Sequence, residues 1–196
     1  MHMRRFPAVP LLVLMLSVSV LPSCALFTSG LKPAARDSRD NRMVNDTAKR
    51  AQEQIALGNY KQALEIYAHA YDRHHLAGHR QGFLRLGEQI RAVSDKAYQD
   101  ARYAEAGVTA RNLFESGITT RDFADKLSFD DDFLTARISA CSRSLMELGL
   151  MRYREEKLDE AIAIWRRALD FDTGNKTVRQ AIDTATAQLQ QLKHIK

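Results

Sequence analysis

The sequence has little of what builds disulfide scaffolds or turn-rich β folds. Its 196 residues include two cysteines, four prolines and nine glycines. Two cysteines cannot form a multi-disulfide framework, and so few prolines and glycines are atypical of a sandwich or barrel with many tight turns. The remainder is 45% hydrophobic and 27% charged. This composition excludes a disordered chain and supplies enough apolar residues for a core.

The first 23 residues have the organisation of an export signal. Arg4 and Arg5 supply positive charge, and the apolar run that follows, 8–21, is shorter than the ~20 residues that span a bilayer. The next four residues, Leu21-Pro22-Ser23-Cys24, resemble the lipobox of bacterial lipoproteins. An ordinary cleaved signal and an uncleaved anchor remain the alternatives.

The lipobox resemblance implies that Cys24 is lipidated and becomes the first mature residue. Ala25 then implies delivery to the outer membrane of a Gram-negative bacterium, with the protein on the periplasmic face. Removal of residues 1–23 takes away two arginines and lowers the formal charge from +5 to +3. Because this charge is small and interspersed with acids, no nucleic-acid partner is predicted. Cys141 is left without a disulfide partner and is expected in the core.

Residues 24–43 are predicted to form a flexible tether, since they contain Gly30, Pro33 and a polar run without a periodic apolar face. Three later stretches place apolar residues at alternating steps of three and four, which puts each set on one side of a helix. No comparable stretch alternates with period two, so the predicted fold class is all-α. The three sets are Phe83, Leu86, Ile90, Val93 and Ala97; Leu134, Ile138, Cys141, Leu145 and Leu148; and Val178, Ile182, Ala185, Leu189 and Leu192.

Two segments, 58–70 and 156–169, share a pattern. Each has an apolar residue at a turn, an alanine three residues on, then a large aromatic residue and a second alanine. In the first segment the pattern consists of Gly58, Tyr60, Ala63, Tyr67 and Ala70. In the second segment it consists of Leu158, Ala161, Trp165 and Ala168, and Gly149 precedes this segment. It resembles the tetratricopeptide repeat (TPR). The resemblance implies a solenoid of helical hairpins, in which each hairpin buries an apolar side against its neighbour.

The resemblance places repeats at about 44–77, 87–120 and 142–175, within a helical domain covering 44–196. The second copy is the weakest. Extra residues at 78–86 and 121–141 interrupt the ~34-residue period and are expected to lengthen the first helices of repeats two and three. Residues 176–196 are expected to form a C-terminal capping helix. A plain helical bundle or a coiled coil is the alternative to the TPR-like fold.

In TPR proteins the first helices of successive repeats line a groove that binds a peptide or a partner helix. A lipidated TPR protein resembles scaffolds of cell-envelope assembly, secretion and pilus biogenesis, so a protein-binding scaffold anchored in the membrane is the predicted function. The alternative is a structural lipoprotein that forms homodimers through the stripes at 134–148 and 178–192. The resemblance assigns to the groove Asn45, Gln52, Arg91, Tyr98, Arg143, Met146, Leu150 and Tyr153.

Four histidines cluster near the end of the first repeat, at His69, His74, His75 and His79. A spacing of four residues between two of them suits a zinc site on a continuous helix. Gly78 is expected to end the helix, so a solvated corner is predicted and no metal. The sequence contains no nucleophile elbow, phosphate loop, HExxH or paired-cysteine motif. Neither an enzymatic activity nor a cofactor is predicted.

Overall fold

A computed structural model describes residues 33–195, and the side chains of residues 37–193. The signal peptide, Cys24 and the tether residues 24–32 lie outside the described residues. Within them the chain is all-α, without a strand, as predicted. The seven helices are α1 (Pro33–Ala56), α2 (Tyr60–His74), α3 (Ala77–Gln99), α4 (Tyr103–Glu115), α5 (Asp131–Arg154), α6 (Leu158–Leu169) and α7 (Lys176–Ile195).

Each helix packs against the next along the chain, and three of the connections have the same geometry. Gly58, Ala101 and Glu156 have φ angles of 75°, 57° and 61°. Each donates its backbone N–H to the carbonyl three residues back, and the residue after it donates to the carbonyl five residues back. This bonding pattern is the Schellman motif, which ends a helix with one left-handed residue. The chain therefore contains three equivalent helical hairpins: α1–α2, α3–α4 and α5–α6.

The helix bounds correct two expectations. α1 begins at Pro33, so residues 33–43, which were expected in the flexible tether, are helical. No glycine or second proline occurs between Pro33 and Gly58, so this stretch contains no helix-breaking residue after Pro33. The extra residues 78–86 do lengthen α3. Of the second set of extra residues, 121–141, only 131–141 lengthens α5.

The segment between α4 and α5 folds back onto α2 and α3. It contains two short 3₁₀ turns, Ile118–Thr120 and Ala124–Lys126. Phe123 and Phe129 are buried there, and the Phe123 ring meets the ring of Tyr71 edge to face at 5.0 Å. The Tyr71 hydroxyl donates to the Asp122 carboxylate at 2.9 Å. Ile118, Phe123 and Phe129 therefore attach residues 116–130 to the core, which their lack of helical periodicity did not predict; we call residues 116–130 the insertion.

The TPR-like signature residues occupy the hairpin interiors. Glycine makes the closest approaches: a Cβ on Gly149 would lie 2.1 Å from Nε1 of Trp165, and a Cβ on Gly82 would lie 2.3 Å from Cε1 of Tyr67. Of the signature residues, Tyr60 and Ala70 are half-buried and Gly58 is exposed at its turn. The buried ones are Ala63, Tyr67, Gly149, Leu158, Ala161, Trp165 and Ala168.

The stripes expected to pair between chains in the homodimer alternative lie mostly inside the chain. Leu134, Ile138, Cys141 and Leu145 of α5 are buried, as are Val178 and Ala185 of α7. α7 packs on α6 and covers the end of the row of hairpins. The stripes therefore form the core between neighbouring helices, as in a solenoid with a capping helix.

Candidate binding surface

The first helices of the hairpins, α1, α3 and α5, followed by α7, form one surface. The three hairpins have the same turn geometry. Residues that stand the same number of positions before the left-handed turn residue therefore face the same way. Gln52, Asp95 and Leu150 each lie six residues before the left-handed residue. We call the side of α1, α3, α5 and α7 that carries these positions the first-helix face. The residues predicted to line the groove fall on it.

Exposure varies among those predicted residues. Asn45, Gln52, Arg143 and Leu150 are exposed, while Arg91, Tyr98, Met146 and Tyr153 are half-buried. The Tyr153 hydroxyl donates to Oε1 of Gln188 on α7 at 2.7 Å, and its ring lies 6.0 Å from the ring of Trp165. Tyr153 therefore links α5 to α7 in addition to facing the surface.

An ion network closes the seam between α3 and α5. Asp95 of α3 accepts from Arg91 at 2.5 Å on one carboxylate oxygen and from Arg137 of α5 at 2.6 Å on the other. The Arg137 guanidinium also lies 4.4 Å from the centre of the Tyr98 ring, a cation–π distance. Arg91 and Tyr98, predicted as partner contacts, thus already have partners within the chain.

Glu88 ties the insertion to this network. Its carboxylate accepts from the backbone N–H and the hydroxyl of Ser128, both at 2.6 Å, and from Nε of Arg91 at 3.2 Å. Partial burial raises the pKa of Glu88, but these hydrogen bonds outweigh it, so the pKa lies below its usual value. The ionised carboxylate therefore stabilises the folded state.

This shift makes a pH-dependent prediction. A carboxyl whose folded-state pKa is lowered contributes stability above its unfolded pKa, about 4.3, and loses it as the pH falls through the folded value. We expect Glu88→Gln to lower the free energy of unfolding by about 1 kcal/mol at pH 7, because its three charge-assisted hydrogen bonds, two from Ser128 and one from Arg91, are weakened. The deficit should shrink as the pH falls below about 4.3 in urea titrations.

The matched control for Glu88 is Glu53→Gln, an exposed carboxyl on α1 without a hydrogen bond to another described residue. Its unfolding midpoint should equal that of the parent protein at every pH. A deficit for Glu88→Gln that persists unchanged to pH 2 would contradict the assigned role of the ionised carboxylate.

Two clefts flank the closed seam. The first, of about 310 Å³, lies between α1 and α3. Gly82 stands 19 residues before its turn residue, the position that Arg137 occupies on α5, and the Tyr67 ring packs against it. Ile55, Leu86 and Tyr67 line its apolar part, and the polar residues on it are Gln52, Arg85 and Gln89.

The second cleft, of about 260 Å³, lies between α5 and the start of α7. Asn175 caps α7, its side-chain oxygen accepting from the N–H of Val178 at 3.0 Å. Its side-chain nitrogen donates to the Ser142 hydroxyl at 3.0 Å. Arg143 and Met146, two predicted groove residues, line this cleft.

A third cleft, of about 600 Å³, lies on the outer side of α1 and α2, at the end of the row of described hairpins. Its residues Thr47 and Arg50 stand where the second hairpin has Ile90 and Val93. Polar residues at positions that are apolar in the next hairpin indicate an end face in contact with water, as a terminal repeat requires.

The predicted histidine cluster borders this end face. His79 is fully buried; its Nε2 lies 3.2 Å from the Thr47 hydroxyl, which itself donates to the Met43 carbonyl. The expected helix end at Gly78 is wrong. The break falls at His75, which is left-handed, while Gly78 lies within α3 and leaves room for Val44 of α1. Among the described residues no group of three or more His, Cys, Asp or Glu is arranged to hold a metal ion.

Cys141 is buried on α5, as predicted for a core cysteine. Burial raises the pKa of its thiol to about 11, and the positive charge of Arg137 only partly opposes this. The thiol is therefore protonated at neutral pH, unlike the thiolate of a nucleophilic cysteine.

A scan against protein-family models and a search of curated proteins both find no match. None of the helices in the described part of the chain has the length and apolar character needed to cross a membrane.

The sequence prediction missed three residues of the first-helix face: Arg85, Gln89 and Arg137. Arg85 and Gln89 border the cleft toward α1, and Arg137 bonds to Asp95 of α3, so all three face the preceding hairpin. The predicted repeats begin at 44, 87 and 142 and therefore already align the three turns at Gly58, Ala101 and Glu156. Arg85 and Arg137 lie in the extra residues before the second and third repeats, which that alignment leaves out.

Proposed function

We propose that this protein is a membrane-anchored scaffold whose first-helix face binds a protein partner in cell-envelope assembly, secretion or pilus biogenesis. The observation that carries the proposal is the row of first helices, which holds two clefts and exposed residues of mixed character on one surface. Three hairpins with one turn geometry agree with the TPR resemblance. TPR proteins use the same surface for partners.

The anchor in this proposal is lipidated Cys24, which lies nine residues before the start of α1. Its support is the lipobox-like sequence and the apolar run before it. The membrane proposed is the outer membrane, with the helical domain on the periplasmic side. Binding alone accounts for the features of the face, so the proposal includes neither catalysis nor a cofactor.

In-cell photo-crosslinking tests the scaffold proposal. A photoreactive amino acid replaces Gln89 or Leu150, both exposed on the first-helix face, and Arg166, exposed on α6, gives the matched control. We expect one discrete partner from positions 89 and 150 and none from position 166, identified by mass spectrometry. The same products from all three positions, or none from the face, would contradict the proposal.

The homodimer alternative predicts a different outcome of the same experiment, namely crosslinks from this protein to itself. Its original support was the pair of apolar stripes, which are mostly buried in the chain. Sedimentation of the full chain in detergent discriminates further, since the scaffold proposal needs only a monomer.

A further inference from the structure

The charges of the first-helix face are not balanced. Two carboxylates of the face, Glu88 and Asp95, each accept a hydrogen bond from Arg91, and Asp95 also accepts one from Arg137. Both acidic groups are thus neutralised within the chain. Arg85 and Arg143 lie on the same face and form no ion pair with any described residue. The charge available to a partner at these two arginines is therefore positive.

Arg85 borders the cleft between α1 and α3. Burial raises the pKa of the Tyr67 hydroxyl in this cleft, and the charge of Arg85 acts in the opposite direction. The positive charge of Arg85 therefore influences the interior of the cleft, although the Arg85 side chain is exposed. Beside it stand the amides of Gln52 and Gln89, which donate hydrogen bonds to carboxylates, and an apolar floor that accepts a side-chain stem.

Arg143 borders the cleft between α5 and α7 in a similar setting. Ser139, Thr177 and Met146 line the cleft with it. Asp172 also lines it, but its carboxylate accepts from the Asn175 side-chain nitrogen at 2.8 Å and does not pair with Arg143. The nearby carboxylate weakens the attraction for an anion, so Arg143 should contribute less than Arg85.

We propose, resting on the scaffold function above, that the first-helix face binds an extended acidic segment of the partner, with one carboxylate at Arg85 and a second at Arg143. Two helix spacings of about 8–10 Å separate the two clefts. An extended chain advances about 3.3 Å per residue. The two acidic residues therefore stand about six positions apart, and the segment crosses the closed seam between them.

Selection from a displayed library of random twelve-residue peptides tests this proposal on the full chain in detergent. We expect enriched peptides to carry Asp or Glu at two positions about six residues apart. Fluorescence anisotropy of the best peptide then measures its Kd. The same peptide with Asn or Gln in place of both acidic residues should bind at least tenfold more weakly. Binding of the acidic peptide should weaken as the salt concentration rises.

Variants of the face locate the contacts. Arg85→Gln should weaken the selected peptide about tenfold and Arg143→Gln a few-fold, while Arg166→Gln on α6 leaves the Kd unchanged. All three side chains are exposed, so far-ultraviolet circular dichroism should show the same thermal unfolding. Peptides without acidic enrichment, or a Kd unaffected by the first two variants, would overturn the acidic assignment. If the acidic assignment fails in this way but photo-crosslinking still identifies one discrete partner, the scaffold function is supported and only the acidic assignment is rejected.

Discussion

Replacement of Gly149 by alanine is expected to lower the free energy of unfolding by about 3 kcal/mol. A Cβ at this position would lie 2.1 Å from Nε1 and 2.5 Å from Cδ1 of Trp165, far inside van der Waals contact. The indole is held by its bond from Nε1 to the Met146 carbonyl at 3.1 Å and is almost fully buried. Since neither side can yield freely, α5 and α6 must separate, which is the usual cost of overpacking a core.

Urea denaturation followed by circular dichroism at 222 nm measures this effect. Gly174→Ala is the matched control, because a Cβ there meets nothing within 4 Å, and its free energy of unfolding should change by less than about 0.5 kcal/mol. Trp165→Phe in the Gly149→Ala background should recover part of the loss, since the smaller ring makes room. A Gly149→Ala midpoint equal to that of the control would contradict the close helix approach.

The hairpin containing Gly149 shows what the sequence does predict. A small residue on one helix, two alanines and a tryptophan on the next, at helical spacing, specify which faces meet. The structure places Ala161, Trp165 and Ala168 in the core at these positions. Local periodicity suffices here because the contacting residues lie within two adjacent helices, and their spacing along each helix determines the buried side.

Other features depend on contacts that spacing does not encode. Ala101 and Glu156 adopt left-handed angles without glycine, because the packing of both flanking helices compensates for a cost of about 1 kcal/mol each. The bond from Arg137 to Asp95 joins residues 42 positions apart. The cleft beside Arg85 and Gln89 is lined by residues of α1, α2 and α3 together, and no motif in the sequence marks this arrangement.

The insertion is the clearest case, and its core residue Phe123 carries the second large effect. Phe123 is 3% exposed and its ring meets those of Tyr71 and Phe83, with centroids 5.0 Å and 6.0 Å away. Truncation of a phenylalanine in such a site costs about 3–4 kcal/mol, because the lost burial adds to the cavity left behind. We therefore expect Phe123→Ala to lower the unfolding midpoint in urea and to speed tryptic cleavage at Arg121 and Lys126.

Phe114→Ala, at a ring 36% exposed on α4, is the matched control and should change stability by under about 1 kcal/mol. Equal effects of the two substitutions would mean that the insertion lies on the surface and does not belong to the core.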